Sequence, residues 1–156
     1  MVYEYLSPLG KLYIGIVDDS LVNLSTNLPL PEISQKSAYK PVIEQVYRYL
    51  DNYFKGTPTA PNFKIAPVGT EFRLKVYNEL IKVPYGAFTT YKDIACKVFA
   101  KNPCAQAVGG AVGKNEILIV IPCHRVLGKD KSLTGFSAGL DKKIWLLNHE
   151  GIPYKL

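Results

Sequence analysis

Residues 90–115 read "TYKDIACKVFAKNPCAQAVGGAVGKN". The stretch holds two short helical segments, "TYKDIACKVFA" and "PCAQAVGGAVGKN", with a break between them. Thr89 or Thr90 caps the first, because a hydroxyl there can accept a first-turn N–H. The pair has the length and break of a helix-turn-helix. The second segment is unusual. Ala107, Val108, Gly109, Gly110 and Ala111 carry almost no side-chain bulk, and glycine inside a helix costs roughly 1 kcal/mol each. Close approach of another backbone compensates such a cost. That backbone belongs either to a neighbouring helix or to a nucleic acid. A phosphate loop does not fit: its first glycine would fall at Val108, and Asn115 stands where Ser or Thr should bind magnesium.

Downstream, "EILIVI" (116–121) is a short continuous apolar run and predicts a buried strand. "LTGFSAG" (133–139) reads as a loop or wing, and "LDKKIWLLNHEG" (140–151) as a last helix ended by Gly151. Lys142 and Lys143 are expected on its solvated face. Upstream, "TEFRLKVYNELIKV" (70–83) is a helix with Thr70 as N-cap and Phe72, Val76 and Leu80 on one face. Pro84 and Gly86 stop it. "TPTAPNFKIAPVGT" (57–70), with three prolines, reads as a linker. It separates an N-terminal domain, 1–64, from a C-terminal one, 69–156. In the first, residues 2–6 and 11–17 form a hairpin around Pro8 and Gly10. "SLVNLSTN" adds a third strand, residues 27–40 an irregular loop, and "PVIEQVYRYLDNYFKG" a helix with Ile43, Val46, Leu50 and Tyr53 on one stripe. The fold class is mixed α/β: a small sheet unit followed by a helix-turn-helix, winged-helix-like domain.

Composition narrows the partners. The 156 residues carry a net charge of +6 and are 47% hydrophobic, enough for a packed core. Residues 1–64 balance six basic against six acidic side chains, so residues 65–156 carry the whole excess. Such asymmetry suits an anionic partner, most often nucleic acid, although a lysine-rich solvated surface explains it too. There is no secretory signal and no apolar run of membrane-spanning length, so the expected location is the cytoplasm. Three cysteines and two histidines, without paired spacing, argue against a disulfide framework or a zinc site.

The chemistry concentrates in "IPCHRV" (121–126). A thiol becomes a nucleophile beside a base, and His124 follows Cys123 directly. Neighbours on an extended chain point to opposite faces, so pairing needs a sharp turn after Pro122 or a bridging water. A histidine base also needs an orienting acceptor. Glu150, Asp141 and Asp130 are candidates, with Glu150 best placed at the end of an apolar helix. A buried inert cysteine, a nucleophile and a metal ligand all stay open on these residues alone.

"IPCHRV" resembles the active-site signature of the O6-alkylguanine-DNA alkyltransferases, the methylated-DNA–protein-cysteine methyltransferases. "VPYGAFTTYKDIA", "AVGGAVGKN", "TGFSAGL" and "KKIWLLNHEG" are similar to that family's blocks, in its order, over roughly residues 70–152. The resemblance implies stoichiometric transfer of the alkyl group from O6-alkylguanine in duplex DNA to Cys123, with O4-alkylthymine a further candidate substrate. It implies that His124 takes the thiol proton through a water and that Glu150 orients His124. Asn115 would brace the turn, and Tyr91 would meet the guanine and the rotated phosphate. On the substrate and DNA side it groups Gln106, Ala107, Gly109, Gly110, Arg125 (a structural arginine), Phe136 as an aromatic wall and Ser137 as donor to the alkylated oxygen. The small-residue helix would enter the minor groove. No cofactor, no metal and a monomer are implied. Gln106 departs from the family's arginine, which fills the gap left by the flipped nucleotide, so extrahelical capture should be weaker. Two rivals remain: a non-catalytic helix-turn-helix DNA-binding protein, and a hydrolase using Cys123, His124 and Glu150. Cys96 and Cys104 are expected to be buried structural thiols.

Overall fold

Alternating apolar residues at Leu12, Ile14 and Ile16 bury one face of the second of four strands. In the computed structural model, which describes residues 2–27 and 40–156, these strands are β1 (Val2–Ser7), β2 (Gly10–Val17), β3 (Ser20–Ser25) and β4 (Lys64–Ile65). They run in the order β1-β2-β3-β4. β1 and β2 form the expected hairpin, with Ser7 opposite Gly10. Gly10 has φ +96, a backbone state glycine adopts without steric cost. β3 is antiparallel to β2, and β4 lies parallel to β3.

The first helix, α1 (Lys40–Lys55), buries Ile43, Val46, Leu50 and Tyr53 to 5% exposure or less. Each such side chain contributes roughly 1.5–3 kcal/mol. Tyr5 donates to the Asp51 carboxylate at 2.6 Å and Tyr47 to the Glu4 carbonyl, which ties α1 to β1. The irregular loop expected over 27–40 falls outside the described residues except at its ends. The stretch read as a linker is not free chain: Lys64 and Ile65 pair with Ser20 and Leu21, and Ala66 donates to the Leu21 carbonyl. Contacts group residues 1–68 with Glu116–Leu118 as one compact unit.

"EILIVI" is a correction. Only its start behaves as a strand. Ile117 bridges Leu24, with the Leu24 amide on the Glu116 carbonyl and the Leu118 amide on the Leu24 carbonyl. Ile119 then takes φ +69, a rare state for a β-branched residue, and 118–120 run as a turn. The apolar run is buried all the same, with Ile119 and Ile121 at 1% exposure or less. Burial explains the composition, and burial does not require a ladder.

The second unit comprises 69–115 and 119–156. Its helices are α2 (Glu71–Ile81), α3 (Tyr91–Val98), α4 (Ala105–Val112) and α5 (Leu140–Glu150). Thr70 caps α2 by accepting from the Arg73 amide, and Thr90, not Thr89, caps α3 by accepting from Asp93. α2, α3 and α4 pack on one another, burying Val76, Leu80, Ile94, Ala95, Val108, Ala111 and Val112. This is the helix-turn-helix that the opening stretch predicts. β5 (Thr89–Thr90) pairs in parallel with β6 (Val126–Leu127). α5 ends at Gly151, φ +72, as expected, and Leu147 packs with Leu127 and Ile152. Among the described residues no helix is long and apolar enough to cross a membrane.

Candidate active site

Pro122 sets the local geometry. Its φ of −80 and ψ of 64 match an inverse γ-turn, and the Cys123 amide accordingly donates to the Ile121 carbonyl two residues back, at 2.8 Å. A tight 3₁₀ turn follows over Cys123–Arg125, closed by the Arg125 amide on the Pro122 carbonyl. The sharp turn needed to reconcile neighbouring thiol and imidazole is therefore present. Asn115 braces it: its side-chain amide donates to the Ile121 carbonyl at 2.9 Å.

Cys123 is 1% exposed. Burial pushes its thiol up to about 11, partly opposed by a hydrogen bond from Asn115, the Lys143 charge and the backbone amides of Cys123 and His124. The resting group is a thiol, so a base must remove its proton. His124, wholly buried, is held below its ordinary value mainly by burial, with the Glu150 carboxylate working the other way. It is therefore neutral at pH 7. Its Nε2 pairs with Glu150 Oε2, so the proton sits on Nε2 and the lone pair on Nδ1. Nδ1 has no protein partner among the described residues and is the atom able to accept a proton.

Glu150 is the hub. Burial alone would raise its carboxyl. Hydrogen bonds and charge from His124 and Arg125 outweigh that and hold it down at about 2. Arg125 Nε donates to Oε1 at 2.7 Å, its Nη2 to Oε2 at 3.3 Å, and its Nη1 to the Val83 carbonyl at 2.7 Å. The Gly86 amide adds a donor to Oε1 at 3.0 Å. Such a buried, fully ligated carboxylate fixes both the tautomer and the ring plane of its histidine.

A cavity of about 300 Å³ opens in the same unit, lined by Tyr91, Gly109, Val112, Gly113, Gly135, Phe136 and Ser137. This is the low end for small-ligand sites. Tyr91, on its wall, feels the Cys123 charge. Burial raises the Tyr91 phenol, the Thr134 hydrogen bond lowers it, and the Cys123 charge raises it further. The small-residue face of α4 resolves in two directions. Gly109 looks toward the Tyr91 ring, 3.8 Å from where a Cβ would stand, whereas Gly110 meets nothing within 4 Å. Gln106 and Gly110, one helical turn apart, are both exposed. A neighbouring helix thus does not explain Gly110, and a partner from outside remains.

The sequence matches the profile of the 6-O-methylguanine DNA methyltransferase DNA-binding domain over residues 71–152. The methylated-DNA–protein-cysteine methyltransferase of Haemophilus influenzae is 39% identical over 156 residues, spanning 96% of this chain and 86% of that one. Its counterpart in Methanosarcina acetivorans is 45% identical over 93% of this chain and 94% of that one. The chain belongs to the methylated-DNA–protein-cysteine methyltransferase family. Its fold agrees with the crystal structure of Mycobacterium tuberculosis OGT in complex with DNA, with a TM-score of 0.84 and 31% identity over 96% and 92% of the two chains. As a methyltransferase of this family it serves direct-reversal DNA repair, with DNA as partner. Family membership selects this reading over the hydrolase and the non-catalytic DNA-binding protein.

Of the methyltransferase residues expected from sequence, Cys123, His124, Glu150 and Asn115 converge on one buried turn, while Tyr91, Gly109, Phe136 and Ser137 share the cavity wall. Gln106, Ala107 and Gly110 lie along α4 outside that wall. Arg125 is a correction to its grouping with the DNA-side residues. It is 7% exposed and its guanidinium is engaged by Glu150 and Val83, so it takes the structural place. Cys96 and Cys104 are corrections as well: both are exposed. The largest miss is Lys143. Expected on a solvated face, it is 1% exposed and donates to the Val126 carbonyl and to Thr134 Oγ1. Burial lowers its ammonium to about 8, against an opposing pull from Cys123. The signal lay in helical spacing, because Lys143, Leu146, Leu147 and Glu150 follow i, i+3, i+4, i+7 on one buried face. Among the described residues no group of three or more His, Cys, Asp or Glu side chains is placed to hold a metal.

Proposed function

We propose that Cys123 is the alkyl acceptor and that the chain removes the alkyl group from O6-alkylguanine in duplex DNA in one displacement. The observation that carries this is the buried pairing of His124, on the turn that holds Cys123, with Glu150 at the end of α5, with His124 Nδ1 left able to accept. The target base leaves the stack, because chemistry on a base cannot proceed inside the duplex, at a cost of a few kcal/mol. Val112, Phe136 and Ser137 then enclose it. His124 Nδ1 takes the thiol proton through a water. The sulfur attacks the alkyl carbon, the carbon–O6 bond breaks, and its electron pair stays on guanine. Tyr91 donates a proton as guanine leaves, and Ser137 bonds the alkylated oxygen.

The product is a thioether. It offers no acyl carbon for water to attack, so each molecule acts once. O4-alkylthymine is a second substrate on the same chemistry. α4 enters the minor groove with Gln106 and Gly110 outward, supported by the open space over Gly110. Gln106 fills the gap left by the flipped nucleotide with hydrogen bonds but no charge. The chain works as a monomer in the cytoplasm, at the nucleoid, through two domains, 1–64 and 69–156.

The test is peptide mass spectrometry after incubation with duplex carrying O6-methylguanine. One methyl on the Cys123 peptide, at one equivalent, is expected. A methyl on Cys96 or Cys104, or on no cysteine, overturns the assignment.

A further inference from the structure

Two helix stripes stand outside the site described above. α2 buries Val76, Tyr77 and Leu80. Lys75, Asn78, Glu79 and Lys82 fall at i, i+3, i+4 and i+7 on another face. α3 buries Ile94 and Ala95 and leaves Asp93, Cys96 and Lys97 exposed. α2 and α3 pack together, and the two stripes line one groove made of two adjoining hollows. The wide hollow, of about 500 Å³, is lined by the apolar Val83, Pro84, Ala87 and Phe88, with Asp93 and Cys96 beside them. The narrow one, of about 340 Å³, is lined by Lys75, Asn78 and Val98. Glu79, Lys82 and Lys97 line both. Neither hollow shares a residue with the base cavity, and neither includes Gln106 or Gly110.

The two ends differ in character. Lys82 already donates to Glu79 at 2.9 Å. Lys75 stands 3.9 Å from Glu71 with both side chains exposed, a pair worth little in water. Lys97 has no carboxylate partner among the described residues. The narrow end is therefore positive. At the wide end Phe88 is 37% exposed, with the Lys131 ammonium 5.4 Å from its ring centre. An apolar hollow of this size with a few polar groups at its edge is the usual form of a binding site.

We propose that the α2–α3 groove docks an acidic peptide segment of a partner protein. A bulky apolar side chain sits in the wide hollow against Phe88, and acidic side chains run along Lys75 and Lys97. Charge complementarity selects the acidic flank, and the apolar lining selects the anchor. A nucleic-acid strand is the poorer occupant. Asp93 lines the wide hollow and repels phosphates, and Val83, Pro84 and Ala87 offer a phosphate no donor side chain. A peptide held here leaves α4 and the base cavity open, so the chain holds DNA and partner at once. The inference is independent of the alkyl-transfer reading.

Cys96 reports on the groove and Cys104, outside it, is the control. The probe is a short fluorescent peptide of consecutive aspartates ending in leucine and phenylalanine, mixed with the full chain in the absence of DNA. Anisotropy gives its Kd. With the peptide at about ten times that Kd, mass action leaves about one groove in eleven open. Iodoacetamide labelling of Cys96 should then slow about tenfold, with Cys104 unchanged. Lys75→Glu combined with Lys97→Glu should weaken binding about tenfold at low salt, whereas Lys55→Glu should leave it unaltered. Phe88→Ser should weaken it about as much by removing the anchor contact. A peptide of aspartates alone should bind more weakly than the anchored one. Unprotected Cys96, equal protection of Cys104, or an affinity untouched by the paired charge reversal would each overturn the proposal. An oligothymidine that shields Cys96 as well as the peptide does would overturn it too, in favour of a nucleic-acid surface.

Discussion

The turn at Cys123 and the start of α4 at Cys104 carry the same side chain in opposite settings. Cys104 stands exposed at the N-cap of a helix that offers it no side-chain hydrogen bond. Cys123 is buried, with His124, Asn115 and Lys143 arranged about it. Exposure would favour Cys104 as the reactive thiol toward any small reagent. Burial penalises the Cys123 thiolate, so its reactivity depends on a base and on a substrate brought to it. A cysteine that waits inside, protonated until the base is loaded, is protected from adventitious alkylation. On the proposed mechanism, in which each molecule acts once, that protection matters.

The sharpest way to break the comparison is to exchange the cysteines' fates. Cys123→Ala should abolish methyl transfer from DNA, whereas Cys96→Ser and Cys104→Ser should stay within about twofold of the wild type, as surface changes usually do. Gel transfer of a labelled methyl group checks both. Glu150→Gln should be the next largest. It strands the buried Arg125 charge, which costs about 3–5 kcal/mol, and removes the acceptor that orients His124, slowing transfer by about 10²–10⁴. Denaturant midpoints and single-turnover rates measure the two effects separately. A stable, fully active Glu150→Gln would refute the hub role.

Acid should act on the same hub. The folded values of both His124 and Glu150 lie below their ordinary ones. The unfolded chain therefore binds more protons, and stability present at neutral pH is lost as pH falls. The loss begins below the ordinary histidine value of 6.5. It deepens between the ordinary 4.5 of Glu150 and about 2, where that residue alone accounts for about 3 kcal/mol. Urea midpoints at pH 7, 5 and 3 should fall in that order, and Glu150→Gln should flatten the steepest part, below pH 4.5. Asn115→Ala should cost about 0.5–1.5 kcal/mol, the loss of one of the two hydrogen bonds on the Ile121 carbonyl, which keeps the one from the Cys123 amide, and should raise iodoacetamide labelling of Cys123 by loosening the turn.

On the exposed side of the comparison the effects should be smaller. Gln106→Arg should tighten DNA binding by about tenfold at low salt, with a steeper salt dependence from one added charge. An unchanged affinity and rate would remove Gln106 from the interface. Reagent labelling at pH 7 should find Cys96 and Cys104 well before Cys123, and in urea all three should label alike.

How much was legible depended on whether the signal was local. Caps, helix stripes and the helix-turn-helix break follow from neighbours in sequence, so Thr70, Thr90, Gly151 and the two hairpin strands stand where they were expected. Other features depend on residues far away in the chain. Lys64 and Ile65 became a strand because Ser20 and Leu21 lay beside them. "EILIVI" bent at Ile119, with the Asn115 amide occupying the carbonyl of Ile121. Lys143 turned inward to meet Val126 and Thr134.

The sequence by itself determined the cast: a cysteine beside a histidine after a proline, a carboxylate closing an apolar helix, and a helix stripped of side chains. Those are choices of residue type and spacing, and chemistry constrains them directly. Tertiary structure alone decided the assignments. It set Glu150 between His124 and Arg125, turned the Arg125 guanidinium inward onto Glu150 and the Val83 carbonyl, and opened α4 over Gly110. Direction and burial come from packing between distant segments, which no local pattern encodes. In a low-dielectric interior they decide which proton is held and which can move.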